Sequence, residues 1–176
     1  LHTPPAIVIT DSQAFLKVSA DTPPEIPMTS FSILFARQKG DLAEMVRGLK
    51  RIEGLTPGDK VLIVEGCTHH RQSDDIGKVK IPRWIRQIAG GEIEFAWASG
   101  ASYPKDISRY AVIVHCGGCM LNRREMQYRV GRAREQGVPI TNYGMLIAYV
   151  MGILPRALKP FPAARLALER TGTKIL

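Results

Sequence analysis

Cysteine is scarce in this chain. All three fall in two short segments, Cys67 in the first and Cys116 and Cys119 in the second. An odd count confined to two places makes no disulfide framework and suits ligands better. Aromatic residues are few too, 7% of 176 residues, and no run of Lys or Arg interleaves with them. Composition therefore gives no reason to expect a nucleic-acid partner. No apolar stretch reaches the roughly 18 residues that a membrane span requires. No basic segment leads into a long apolar core, so no secretory signal peptide is expected either. The Gly-x-x-x-x-Gly-Lys-Ser/Thr pattern of a phosphate loop occurs nowhere in the sequence. These absences favour a cytoplasmic protein without a membrane segment.

What is present is ample for a core: 45% of residues are hydrophobic and 23% charged. The length suits one substantial domain, or one domain with part of another. A first residue of Leu1 rather than Met reads as a fragment or a processed chain. The formal charge is +8, from 24 Lys and Arg against 16 Asp and Glu. The basic residues are dispersed, as at Arg83 and Arg86, Arg123 and Arg124, and Arg129, Arg132 and Arg134. That spacing reads as a solvated basic surface facing an anionic partner or cofactor.

Two segments organise the chain. Val61-Leu-Ile-Val64 runs into Glu65-Gly-Cys67-Thr-His69-His70, and Ala111-Val-Ile-Val114 runs into His115-Cys116-Gly117-Gly118-Cys119. Short β-branched apolar runs of this kind are strands buried on both faces of a parallel sheet. In open parallel sheets the working groups lie beyond the carboxyl ends of the strands, where both clusters fall. If the two strands are neighbours, the three thiols meet at one edge.

Further strands are expected at residues 6–10, 93–98 and 138–141. Helices are expected from 11 or 12 to 18, over 31–37, 42–52, 78–89, 123–136 and 143–151, and in pieces over 154–168. Asn122-Arg-Arg-Glu125 has the form of a capping box, in which Glu125 would reach back to the Asn122 amide. Strands alternating with helices predict an α/β fold: a three-layer, mostly parallel, Rossmann-like sheet with helices on both faces. Asp21-Thr-Pro-Pro-Glu-Ile-Pro27, with three prolines, is the expected boundary. It separates residues 1–27, part of a preceding domain and its linker, from a domain over 28–176. Trp84 and Trp97 are expected in the core.

Three thiols in this pattern admit four readings. They are a buried structural trio, a thioredoxin-like pair at Cys116-x-x-Cys119, a structural zinc of Cys3His type, or an iron–sulfur cluster on three cysteines with a fourth position weak or open. Gly117 and Gly118 permit backbone conformations closed to other residues and expose N–H groups that can donate to a thiolate or sulfide. The helix opened by Asn122 adds its positive end nearby. His69 and His115 are the candidate fourth ligands, with His70 behind them. Asp74, Asp75 and Glu125 could face the cluster but read first as a solvated turn and a helix cap, and Asn142-Tyr143-Gly144 could line the same sheet edge but reads first as a cap with a packed ring.

Cys67-x-His69, followed by residues 70–115 and then Cys116-x-x-Cys119, closely resembles the cluster motif of HydF, the maturation GTPases of iron–iron hydrogenases. The resemblance extends to the blocks at 9–15, 29–37, 67–70, 74–77, 80–84, 115–125 and 137–144. It implies that Cys67, Cys116 and Cys119 ligate a 4Fe–4S cluster, with His69 and His115 matching the motif's histidines. It also implies a scaffold or carrier for the two-iron precursor, received through radical-SAM maturases and delivered to the apo iron–iron hydrogenase. Lys80 and Arg123, with Arg83 and Arg124, would attract that anionic precursor or the hydrogenase. A homodimer is possible, with residues 1–27 as what remains of the family's dimerisation domain. Lacking a phosphate loop, the chain is not expected to hydrolyse GTP. The other classes carried beside this one are an iron–sulfur electron-transfer module and a zinc-stapled interaction domain.

Overall fold

The computed structural model of the chain describes residues 3–66 and 75–173. Among them the elements run β1 (Val8–Thr10), α1 (Phe15–Asp21), β2 (Met28–Ser30), α2 (Phe31–Lys39), α3 (Leu42–Glu53), β3 (Lys60–Glu65), α4 (Ile81–Ala89), β4 (Glu94–Ser99), β5 (Val112–His115), α5 (Arg123–Glu135), β6 (Ile140–Asn142), α6 (Tyr143–Val150), α7 (Leu154–Leu158) and α8 (Pro162–Thr171). A 3-10 turn at Ser12–Ala14 precedes α1, and a π-helical turn at Ile76–Lys80 leads into α4. The fold is α/β, with parallel sheets flanked by helices.

Four strands form the main sheet in the order β4-β3-β5-β6, every pair parallel. Val61 to Val64 and Val112 to Val114 are buried throughout, as apolar runs covered on both faces must be. Helix α4 carries the chain from β3 to β4 on one side, and α5 carries it from β5 to β6 in the opposite direction. Right-handed crossovers in opposite directions place α4 and α5 on opposite faces. The strand order reverses between β3 and β5, which makes their carboxyl ends the topological switch point of the sheet.

Helix α3 packs between β6 and α8. Leu42, Met45, Val46, Leu49 and Ile52 recur at helical spacing and are all buried, each contributing about 1.5–3 kcal/mol relative to exposure. Asp41 caps the helix by accepting the Glu44 amide at 2.9 Å. The approach to β6 is so close that a methyl on Gly48 would sit 2.0 Å from the Ile140 carbonyl oxygen.

Departures from the sequence reading have local causes. β1 is short and half-exposed, with Ile9 40% accessible, because it pairs only with β2 in a separate two-stranded sheet. β2 was not expected: Met28-Thr-Ser30 is too polar to read as a strand, yet all three residues are buried. Trp97 is not core. It lies on the edge strand β4, 40% exposed, with the Lys78 ammonium 4.0 Å from its ring centre and its indole N–H donating to the Gly77 carbonyl at 3.0 Å. The proline segment is tied to α7, where Arg156 donates to the carbonyls of Ser19, Thr22 and Pro23 at 3.1, 2.9 and 2.8 Å.

Gly48→Ala forces α3 off β6, and overpacking of this kind costs about 1–3 kcal/mol. Urea unfolding is expected to show a lowered midpoint, whereas Gly131→Ala, at an open helical position, is expected to leave it unchanged or raised.

Candidate metal centre

The sheet brings the two cysteine segments together from their strands outward. Val64 of β3 stands opposite His115 of β5, and the Cys116 amide donates to the Val64 carbonyl at 2.8 Å. One residue beyond β3, the Gly66 N–H points at the Cys116 sulfur, 3.0 Å away. The Gly118 N–H donates to the same sulfur at 3.3 Å. Gly118 has φ +66°, a left-handed conformation that a side chain would strain. The turn closes with the Leu121 amide on the Gly118 carbonyl at 3.1 Å, and Asn122 caps α5 by accepting the Glu125 amide at 2.8 Å. Cys116 is half-buried, Cys119 is exposed, and neither is in a disulfide. Cys67, His69, His70 and Asp74 lie outside the described residues. Gly66, against the Cys116 sulfur, is the residue bonded to Cys67 in sequence.

His115 is fully buried, and both its ring nitrogens are engaged. Arg129 Nη1 lies 3.1 Å from Nε2. A guanidinium offers only donors, so Nε2 accepts, the proton resides on Nδ1, and Nδ1 donates to the Cys116 carbonyl at 2.7 Å. Coordination through either nitrogen requires breaking one of these bonds. Burial, helped by the Arg129 charge, lowers the His115 pKa to about 4 and keeps the ring neutral.

Arg129 is itself 1% exposed. Its Nε donates to Glu125 at 2.7 Å and its Nη2 to the Gly100 carbonyl at 2.7 Å, while Tyr103 lies under the guanidinium at 5.2 Å. Glu125 therefore turns along α5 to Arg129 rather than back to the Asn122 amide that a full capping box would use. Removing one member of such a buried set costs on the order of 3–5 kcal/mol. Arg129 is thus a buried link between α5, the loop after β4 and the cysteine turn, not part of the solvated basic surface that the sequence suggested.

A cavity of about 360 Å³ opens beside the turn, lined by Cys116, Gly117, Gly118 and Cys119 on one side and by Ser12, Phe31, Ser32 and Phe35 on the other. Glu65, Asp75 and Tyr143 also line it. Asp75 also accepts the Lys78 amide at 2.9 Å. The Ser12 hydroxyl is buried without a hydrogen-bond partner among the described residues. Tyr143, read from sequence as a packed ring beside the Asn142 cap, both packs under the cavity and follows that cap, where Asn142 accepts the Met145 amide at 2.9 Å.

Lys80 reaches back to the Gln13 side chain at 2.9 Å, and Arg123 is exposed at the start of α5. A larger depression between α3, α4 and α6 is lined by Glu53, Trp84 and Tyr149 and contains no thiol. Among the described residues no group of three His, Cys, Asp or Glu side chains is placed to hold a metal ion.

Ser32, Lys39 and Glu65 had no role in the sequence reading. Only Glu65 carried a signal, as a charged residue at the carboxyl end of a buried strand.

A parallel α/β domain whose cysteine turn stands at the switch point of its sheet is the class that fold and site define. Residues 43–160 match the family model of the hydrogen maturase F tetramerization domain, and residues 1–40 match that of the dimerization domain. The chain belongs to the hydrogen maturase F family. The two matches meet at the Gly40–Asp41 corner between α2 and α3. Compared with curated proteins, the chain has no match. No helix among the described residues is long and apolar enough to cross a membrane.

The pH dependence of folding follows from His115. Its unfolded pKa is about 6.5 and its folded value about 4, so between those limits the unfolded chain binds a proton that the folded chain does not. This contribution is complete above pH 6.5 and is lost as pH falls toward 4, by about 3 kcal/mol. In the metal-free protein, His115→Gln is expected to remove that part of the acid destabilisation, read as a flatter urea midpoint between pH 6.5 and 4.5.

Proposed function

We propose that this chain is the scaffold part of a hydrogenase maturase. Cys67, Cys116 and Cys119 hold a 4Fe–4S cluster that carries the two-iron precursor to the apo iron–iron hydrogenase in the cytoplasm. The family assignment supports a maturation role and self-association. The observation that carries the cluster reading is the Cys116 sulfur, which accepts N–H bonds from the turn of its own strand and from Gly66 at the end of the neighbouring one. Such donors stabilise thiolate ligands and tune a cluster.

The donor set fits the group. Cys116 and Cys119 are two free thiols on one turn, and the third cysteine follows Gly66 in sequence. When bound, the cluster supplies an iron with an exchangeable fourth position at which cargo attaches. The protein's own residues hold and orient. The β3–β5 pairing sets the separation of the two ligand segments, and the His115 Nδ1–H fixes the carbonyl of Cys116. The buried Arg129 places positive charge beneath anionic ligands. His115, with both nitrogens engaged, serves as a positioning group, which leaves the fourth position to His69 or to an exogenous ligand. The cavity beside the turn offers room for cargo, and Lys80 and Arg123 would attract an anionic one. The radical-SAM maturases and the hydrogenase are the partners this reading requires.

Anaerobic reconstitution with iron and sulfide, followed by EPR of the reduced protein, tests the reading. A 4Fe–4S signal that shifts when imidazole is added, and that Cys119→Ala abolishes, is the expected result. An imidazole-insensitive signal would indicate a closed electron carrier instead. No iron uptake, with one zinc per chain in its place, would overturn the cluster reading.

A further inference from the structure

Lys39 is the last residue of α2, eighty positions from Cys119 in sequence. Its ammonium donates to the carbonyl of Gly118 and to that of Cys119, each at 3.0 Å. The centre of the Phe35 ring lies 4.6 Å from the same nitrogen, a cation–π contact. Two carbonyls of one turn converging on one ammonium is an intramolecular cation site built by the cysteine turn itself.

The surroundings keep that geometry in place. Gln127 of α5 donates to the carbonyls of Lys39 and Gly40 at 3.0 and 2.9 Å, which fixes the end of α2. At the other end of the turn, Gly117 packs so closely that an added methyl would come within 3.2 Å of Ser32 Cα. Helix α2 therefore grips the turn at both ends, through Ser32 and through Lys39. The same helix lies within the stretch that matches the dimerization domain, whereas the turn lies within the stretch that matches the tetramerization domain.

We propose that Lys39 is a positioning residue for the cluster: it holds the Gly118–Cys119 turn in ligand-ready form and sets its positive charge against the thiolates, favouring the reduced state. The inference rests on the cluster reading above. A fixed ammonium attracts the extra negative charge of a cluster that has accepted one electron, so removing it disfavours reduction. Loss of the clamp also loosens one ligand segment, and outer groups of this kind change metal affinity by about 10–100-fold.

The test uses the reconstituted protein with Lys39→Met and Lys39→Arg, their folding checked by circular dichroism. The readouts are the midpoint potential for one-electron reduction by dithionite and the rate of iron loss to a ferrous chelator. Lys39→Met is expected to disfavour reduction about tenfold, which is about 59 mV more negative for a one-electron couple. It is also expected to lose iron about tenfold faster. Lys39→Arg, which keeps charge and donors, is expected to restore most of both. Should Lys39→Met not fold, Lys39→Gln is read in the same way. A Lys39→Met protein with full iron content and unchanged potential and iron loss would overturn the role of Lys39 and leave the cluster reading intact. Failure of the unsubstituted protein to take up a cluster would overturn both.

Discussion

Parallel pairing of β3 with β5 is the constraint on which the site depends. The ladder sets Val64 opposite His115, so whatever follows each strand emerges side by side at one edge of the sheet. Nothing in the cysteine segments themselves needs to bring them together. The pairing is secured by burial: the apolar run of each strand is covered on both faces, and α3 presses on β6 through a glycine contact that leaves no space for a methyl. Right-handed crossovers in opposite directions then leave the β3–β5 edge open between the helices. The site is a consequence of the topology.

Beneath that edge lies a charge that the fold has enclosed. Arg129 is buried and donates to His115, Glu125 and Gly100, joining α5, β5 and the loop after β4. A buried guanidinium is tolerable only when its donors are satisfied, and here the same bonds fix the tautomer of His115 and, through it, the carbonyl of Cys116. Above the edge stands a second cation, Lys39, on a helix from the part of the chain that matches the dimerization model. The cysteine turn is thus held from below by α5 and from the side by α2. Segments with different family matches thus share one polar network at the turn.

Much of this was legible in sequence. Apolar runs ending in thiols identified β3 and β5, and the cap residues Asn122 and Asn142 marked helix starts that the side-chain bonds bear out. The α/β class followed from alternation of strand and helix. What escaped was set by tertiary packing. Arg129 carried the same local signature as its neighbours Arg132 and Arg134, and only its position over β5 makes it internal. Glu125 four residues earlier was the one hint, and it was read as a cap. β2 was hidden by Thr29 and Ser30, whose burial depends on a partner strand some twenty residues away. The clamp by Lys39 spans eighty residues, and no local pattern encodes it.

The central claim is that ligands from both strand ends share one cluster. Native mass spectrometry of the anaerobically reconstituted protein and of its Cys67→Ala variant tests this most directly. The account predicts the mass of four iron and four sulfide on the unsubstituted chain, and loss of that species in the variant although Cys116 and Cys119 remain. Full retention of the four-iron species without Cys67, or a single zinc ion on the unsubstituted chain, would contradict it.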